Sequence, residues 1–236
     1  MGKVIMSGIV PNLEEPVVFN GDPVFANNSW ETIIETCQNN TVPASWTIGD
    51  SKAMTINGKS YQIDVIGKNH DTYTAGGTAP LTFQMHDLYA TDYQMNSNAT
   101  NSGGWEACDM RNKHLPAILA LMPASVQAGI KEVNKLTLAG GYSGTIKTTD
   151  DKLFLLAEIE IFGSVTYSAA GEGTQYAYYS AGNSRIKKKS GGSAWYWFER
   201  SPQSGSSDRY CGVKNDGTAF YYTPGSNMGV AFAFCF

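Results

Sequence analysis

Apolar and polar positions alternate with clear periods along much of the 236-residue chain. Trp30, Ile33, Ile34 and Cys37 fall on one face at helical spacing, which predicts a helix ending by residues 38–40, before Pro43. Asn28 with Glu31 three residues on is the expected cap. Runs at 53–56 and 60–66 flank Asn57-Gly58, the strongest short-range sign of a type I′ hairpin. Residues 81–85 alternate as a short half-buried strand. Short helices are predicted after Gly103-Gly104-Trp105-Glu106 through 110, from 116 to 121, and from 125 to 129, because proline is tolerated in a first turn and breaks a helix elsewhere. Strands are predicted at 130–138 and 152–162, on either side of the glycine turn Gly140-Gly141.

The last forty-two residues organise the chain. An aromatic run, Trp195-Tyr196-Trp197-Phe198, stops at Pro202. Val230, Phe232, Phe234 and Phe236 then share one face at period two. This alternation predicts Trp195, Trp197, Phe232 and Phe234 to be buried. Between these strands, residues 204–227 are rich in Gly, Ser and Tyr, with only Asp208, Arg209, Lys214 and Asp216 charged. Two stiff strands holding a polar, ring-studded segment is the division of labour of a binding surface. Tyr196, Phe198, Ser204, Ser206, Asp208, Arg209, Tyr210, Lys214, Asp216, Thr218, Phe220, Tyr221, Tyr222 and Asn227 are the candidate ligand-binding residues. Tyr210, Phe220, Tyr221 and Tyr222 are expected at least partly exposed, grouped with Arg209 and Asp216.

The frame Trp195-x-Trp197, Arg200-Ser201-Pro202, Gly217 and the closing run from Gly229 to Phe236 resembles the C-terminus of C-type-lectin-fold domains akin to the formylglycine-generating enzyme. Such domains occur on phage tails and bacterial surfaces, many as variable proteins of diversity-generating retroelements. There, asparagine codons are rewritten at fixed positions, giving Ser, Asp, Tyr, Thr, Gly, Phe, Arg or Ala but never Lys. Residues 206–210 and 220–223 are drawn from the permitted set, and Lys214 is not. The resemblance, covering about 28–236, implies an α+β, C-type-lectin-like fold with short helices, small antiparallel sheets and long loops. It implies a ligand-binding domain over 28–236 with a variable region at about 195–228, and a structural role for His70. Pro11, Pro16 and Pro23 mark residues 1–27 as an extended arm for attachment or homo-oligomerisation. The expected partner is a host or bacterial surface protein or glycan. The expected place is a virion, on the phage tail, or else a bacterial cell surface.

Composition narrows the alternatives. A net charge of −4 gives no reason to expect nucleic acid, and the basic cluster Arg185, Lys187, Lys188 and Lys189 reads as a solvated turn. No apolar run is long enough for membrane insertion. The start carries none long enough for a signal peptide, so synthesis in the cytoplasm without export is expected. Cys37, Cys108, Cys211 and Cys235 lack disulfide or zinc spacing and read as reduced core thiols.

Motifs that carry chemistry are few. No phosphate loop, dinucleotide fingerprint or nucleophile elbow is present, and His70, His86 and His114 lack metal-motif spacing. Glu158 and Glu160 are a conceivable carboxylate pair, but they read better as outward positions of a half-buried strand. Asp208 and Asp216 offer too few oxygens for calcium. The expectation is therefore a non-enzymatic binding protein needing no cofactor or metal. The competing reading is a formylglycine-generating-like oxidase, or another enzyme on the same fold, in which Cys211 and Cys235 would have to meet.

Overall fold

The computed structural model describes residues 17–236. The arm expected over 1–27 lies outside the described residues as far as residue 16. Beyond that point Phe19 and Phe25 meet Trp46 edge-on, with ring centroids 5.2 Å away in both cases, and Phe25 is buried while Val17, Val18 and Val24 stay exposed.

The first helix, α1 (Trp30–Gln38), buries Trp30, Ile33, Ile34 and Cys37 as the spacing predicts. Its cap is Ser29, whose hydroxyl accepts the Thr32 N–H, and not Asn28. The Asn28 side chain instead donates to the carbonyls of Asp22, Val24 and Phe25. A buried amide is thus spent on closing the preceding turn.

Strands β1 (Ser51–Ile56) and β2 (Lys59–Lys68) pair antiparallel around Asn57 and Gly58, whose φ angles of 49° and 73° are those of a type I′ turn. Strand β3 (Leu81–Met85) is buried along its whole length rather than alternately, because it lies inside the sheet. Helices α2 (Gly104–Ala107), α3 (Leu115–Leu119) and α4 (Ala124–Gly129) follow, with a π-helical turn at Met110–His114 leading into α3. Strands β4 (Val133–Leu138) and β5 (Ile146–Asp151) form a hairpin of their own. The strand expected over 152–162 is not formed. Residues 153–157 are buried irregular chain and α5 (Glu158–Phe162) is a helix.

Helix α6 (Ala177–Ser180) precedes the small pair β6 (Lys187–Lys188) and β7 (Ala194–Trp195). The chain then runs through β8 (Trp197–Pro202), β9 (Tyr210–Val213), β10 (Ala219–Tyr222) and β11 (Ala233–Cys235). Two sheets dominate, ordered β1-β2-β3-β11 and β10-β9-β8. The fold is α+β, with short helices, small antiparallel sheets and long loops. One hydrophobic cluster runs from Phe25 to Phe236; within it Phe83 stacks on Phe234, and Phe232 and Phe236 pack against them with tilted rings. The closing segment is buried on both faces, Ala231, Ala233 and Cys235 as fully as Phe232 and Phe234. Its alternation therefore marks size rather than exposure. All four cysteines are buried and unbonded to one another. Among the described residues no helix is long and apolar enough to cross a membrane.

A polar cluster sits inside this core. Arg200 is fully buried and forks onto Glu160 at 2.5 and 2.9 Å. Its remaining donors reach Thr137 Oγ1 and the carbonyls of Leu136, Leu155 and Glu172. Lys135 bridges Glu160 and Asp71, 2.8 Å from each. Burial opposes ionisation of Glu160, but Arg200 and Lys135 prevail and hold its carboxyl below the usual range. Glu158 and Glu160, expected to face outward, are thus buried in the first turn of α5. Glu160 finds cations, and Glu158 accepts the backbone N–H groups of Tyr167 and Ser168.

Beside them lies Glu199, whose two oxygens are buried with no hydrogen-bond partner among the described residues. Burial, and then the neighbouring Glu158 and Glu172, push its carboxyl well above the usual range, so the folded protein keeps it protonated. The unfolded chain releases that proton above about pH 4.3. The native state then binds more protons than the unfolded one, and stability falls by about 1.4 kcal/mol per pH unit on this account as pH rises toward the folded pKa. Glu199→Gln, which copies the neutral acid, is expected to remove that slope. In urea unfolding at pH 5 and pH 8, the variant's advantage over the parent should widen at the higher pH. An advantage equal at both pH values would mean that Glu199 is ionised in the fold.

Candidate functional site

The C-terminal face is built on the three-stranded sheet β10-β9-β8. The sequence Lys214-Asn215-Asp216-Gly217-Thr218 turns β9 into β10. Lys214 N–H donates to the Thr218 carbonyl and Gly217 N–H to that of Lys214, with Gly217 at φ +84°. This is a three-residue loop closed by a left-handed glycine. Asp216 fixes it by accepting the Thr218 N–H and hydroxyl at 3.0 and 2.6 Å. Gly212 permits close approach of β8, since a Cβ there would lie 2.7 Å from the Trp197 carbonyl oxygen.

Strand β9 is central and β10 is an edge, and this sorts the expected site residues. Phe220, Tyr221 and Tyr222 on β10 are all half-exposed. Tyr210 on β9 is fully buried, its hydroxyl donating to the Gly104 carbonyl at 2.9 Å, and Phe198 on β8 is fully buried as well. Both were expected on the binding face and both belong to the scaffold, because the sheet position each occupies is covered on both sides. Trp195 reverses the other way. Expected in the core with Trp197, Phe232 and Phe234, it is 37% exposed while those three are buried, because it sits on the outlying pair β6–β7.

The remaining rings form a continuous ribbon. Trp195 meets Tyr196 at 5.8 Å between centroids, Tyr196 meets Tyr222 at 5.5 Å, Tyr222 meets Phe220 at 5.0 Å, and Phe220 meets Tyr221 at 5.2 Å. Tyr221 then meets Tyr167 edge-on at 5.1 Å. Cations cap it in two places, Lys214 over Phe220 at 4.7 Å and Lys189 over Trp195 at 4.0 Å. Beside the ribbon, Arg209 pairs with Asp208, whose other oxygen takes the Ser206 hydroxyl. Ser204 and Asn227 are exposed at its margins.

Several residues that hold this face carry no local sequence signal. Asn101, fully buried, donates to the carbonyls of Ser206 and Arg209 and accepts the Gly141 N–H. Glu158 anchors the backbone of Tyr167, whose carbonyl takes the Ser204 N–H. Residues 223–228 are laid against 93–96 by bonds from Met95 N–H to Pro224 and between Tyr93 and Met228. The basic cluster is not a solvated turn throughout. Lys187 is buried, its ammonium held by the carbonyls of Met85 and His86, and Lys189 pairs with Asp92. His70 packs against Tyr176 with centroids 4.0 Å apart.

Chemistry elsewhere is sparse. Among the described residues no three His, Cys, Asp or Glu side chains stand together as metal ligands. Burial pushes the Cys211 and Cys235 thiols far above their usual range. An open cleft of about 1140 Å³ lies between Tyr73, Thr78, Lys131 and Lys152, and none of the expected site residues lines it.

Two tyrosines one sheet position apart should separate scaffold from surface. Tyr210→Ala is expected to cost on the order of 3–5 kcal/mol, as for a large aromatic removed from a packed core. Tyr221→Ala should cost no more than about 1 kcal/mol, as a surface change does. Denaturant titration of both variants reads the difference, and equal costs would contradict the assignment.

No curated protein and no solved structure matches the chain. A family described as Domain of unknown function (DUF6273) matches residues 81–235, from β3 to β11 and so through the whole C-terminal face, and the chain belongs to that family.

Proposed function

We propose that the chain is a ligand- or receptor-binding protein, carried on a phage tail or a bacterial surface, whose C-terminal face engages a protein or glycan on a cell. The observation that carries this reading is the ribbon of half-exposed rings from Tyr167 through Tyr221, Phe220, Tyr222 and Tyr196 to Trp195. Rigid rings with polar handles supply contact area at low entropic cost and are the residues that dominate interfaces. The likeness of the C-terminal frame to variable C-type-lectin-fold proteins supports the same reading. Ser206, Asp208, Arg209, Phe220, Tyr221 and Tyr222 are reachable from asparagine codons and stand on the exposed side. The oxidase reading draws less support, since Cys211 and Cys235 sit in apolar burial that disfavours the thiolate.

The test replaces Ser206, Asp208, Arg209, Asp216, Thr218, Phe220, Tyr221 and Tyr222 together with other residues reachable from asparagine codons. Phe198, Tyr210 and the flanking strands stay intact. The thermal midpoint should move by only a few degrees while binding to cells or to a glycan array is lost or redirected. Unchanged binding, or loss of cooperative unfolding, would remove the proposal.

A further inference from the structure

The polar cluster contains an arrangement that goes beyond charge compensation. Lys135 Nζ lies 2.8 Å from Asp71 Oδ1 and 2.8 Å from Glu160 Oε1, and both Lys135 and Asp71 are about 97% buried at the side chain. The amine also donates to the Tyr176 hydroxyl oxygen at 3.1 Å, and it sits 4.3 Å from the Phe154 ring centroid and 5.5 Å from that of Tyr176. The second Asp71 oxygen, Oδ2, is held by the Thr82 hydroxyl at 2.6 Å and by that of Tyr176 at 2.9 Å, which also lies 3.0 Å from Oδ1. A buried ion pair needs its remaining lone pairs and protons hydrogen-bonded, and these groups meet that need. An amine, a carboxyl carbon, a proton-relaying carboxylate and a pair of donors on the far oxygen are also the parts of an amide-forming site.

We propose that Lys135 and Asp71 condense spontaneously into an intramolecular isopeptide bond, with Glu160 relaying the proton. The ion pair first passes one proton from the Lys135 ammonium to Asp71 along the 2.8 Å hydrogen bond, giving a neutral amine and a neutral carboxylic acid. Burial lowers the cost of that step by penalising both charges. The amine lone pair then attacks Asp71 Cγ. A C–N bond forms, and the carbonyl electrons move onto Oδ2, where the Thr82 and Tyr176 hydroxyls stabilise them. Glu160 takes a proton from the attached nitrogen and delivers it to the Oδ1 hydroxyl, which leaves as water as the carbonyl reforms. Glu160 ends as it began, one water is released, and no oxidant or cofactor is required.

Held groups of this kind reach effective concentrations on the order of 10⁵ M or more. The product also fits. Its N–H would donate to Glu160 Oε1, its carbonyl oxygen would keep the Thr82 and Tyr176 donors, and Glu160 would remain forked on Arg200. Removing one cation and one anion together leaves the cluster neutral. Asp71, whose ionisation burial opposes, is nevertheless held down to about 2 by Lys135 and its hydrogen bonds. The neutral pair is therefore a minor species, and condensation is slow compared with folding. The bond would join β4 to the loop after β2, across 64 positions of sequence, a covalent tie in a fold whose cysteines are all unpaired.

Intact-mass measurement of the full chain, fresh and after days of incubation, tests the proposal. The expected result is a species lighter by one water that grows with time. On digestion the peptides carrying Asp71 and Lys135 should appear as one branched product. Lys135→Arg should keep its full mass under the same incubation. If that variant does not fold, the parent's peptide map decides alone. Water lost at another place, such as a succinimide at Asp216-Gly217, or a full mass with separate Asp71 and Lys135 peptides throughout, overturns the proposal.

Discussion

Four segments of the C-terminal half are held to β8 by one buried guanidinium. Arg200 has no water to return to, and its N–H groups meet the Glu160 carboxylate, Thr137 and three backbone carbonyls. Those partners lie on β4, on the irregular chain before α5, on α5 itself and on the loop at Glu172. A buried charge that loses its partner costs about 3–5 kcal/mol, so these four segments cannot drift from β8 independently. The clamp fixes them where hydrophobic contacts alone would allow sliding. Non-directional burial supplies most of the folding drive, and the directional ion pair selects one arrangement of short elements.

The exposed face inherits its stiffness from that clamp. Glu158, two residues before Glu160 in the same first turn of α5, grips the backbone at Tyr167 and Ser168. Tyr167 in turn receives Ser204 and supports Tyr221 with its ring. Asn101 performs the equivalent task for the loop at 206–209. Anchors are thus buried, polar and reached through backbone atoms, whereas the rings they support point outward and bond mostly to one another. A surface arranged in this way can change its side chains at small cost to stability, because its shape is set by main-chain bonds to residues beneath it.

How legible this was in the sequence depended on how far apart the interacting residues are. The Asn57-Gly58 hairpin and the apolar face of α1 were readable because turn chemistry and helical spacing act within a few residues. Glu158 and Glu160 were misread for the opposite reason. Two acids alternating with isoleucines look like a strand's wet face, and the cation that lets Glu160 be buried is forty positions away at Arg200. Tyr210 and Tyr221 posed a harder problem still. Both are tyrosines in polar, glycine-rich sequence, and only the pairing order β10-β9-β8 makes one central and the other peripheral. Ser29 over Asn28 as the cap of α1 is a one-residue error with a local cause, since Asn28 was already committed to closing the turn at Asp22.

The basic run at 187–189 shows how distant partners can invert the meaning of charge. Three consecutive lysines ordinarily repel one another and face water. Here they alternate, as a strand demands. Lys187 turns inward to cap the carbonyls of Met85 and His86 at the end of β3, and burial brings its amine down to about 8. Lys188 lends its backbone N–H to Asp87, and Lys189 reaches Asp92 while lying over Trp195. A pair of two-residue strands is too small to hold itself together. These three attachments to the chain that follows β3 are what keep β6–β7, and Trp195 with it, at the end of the aromatic ribbon.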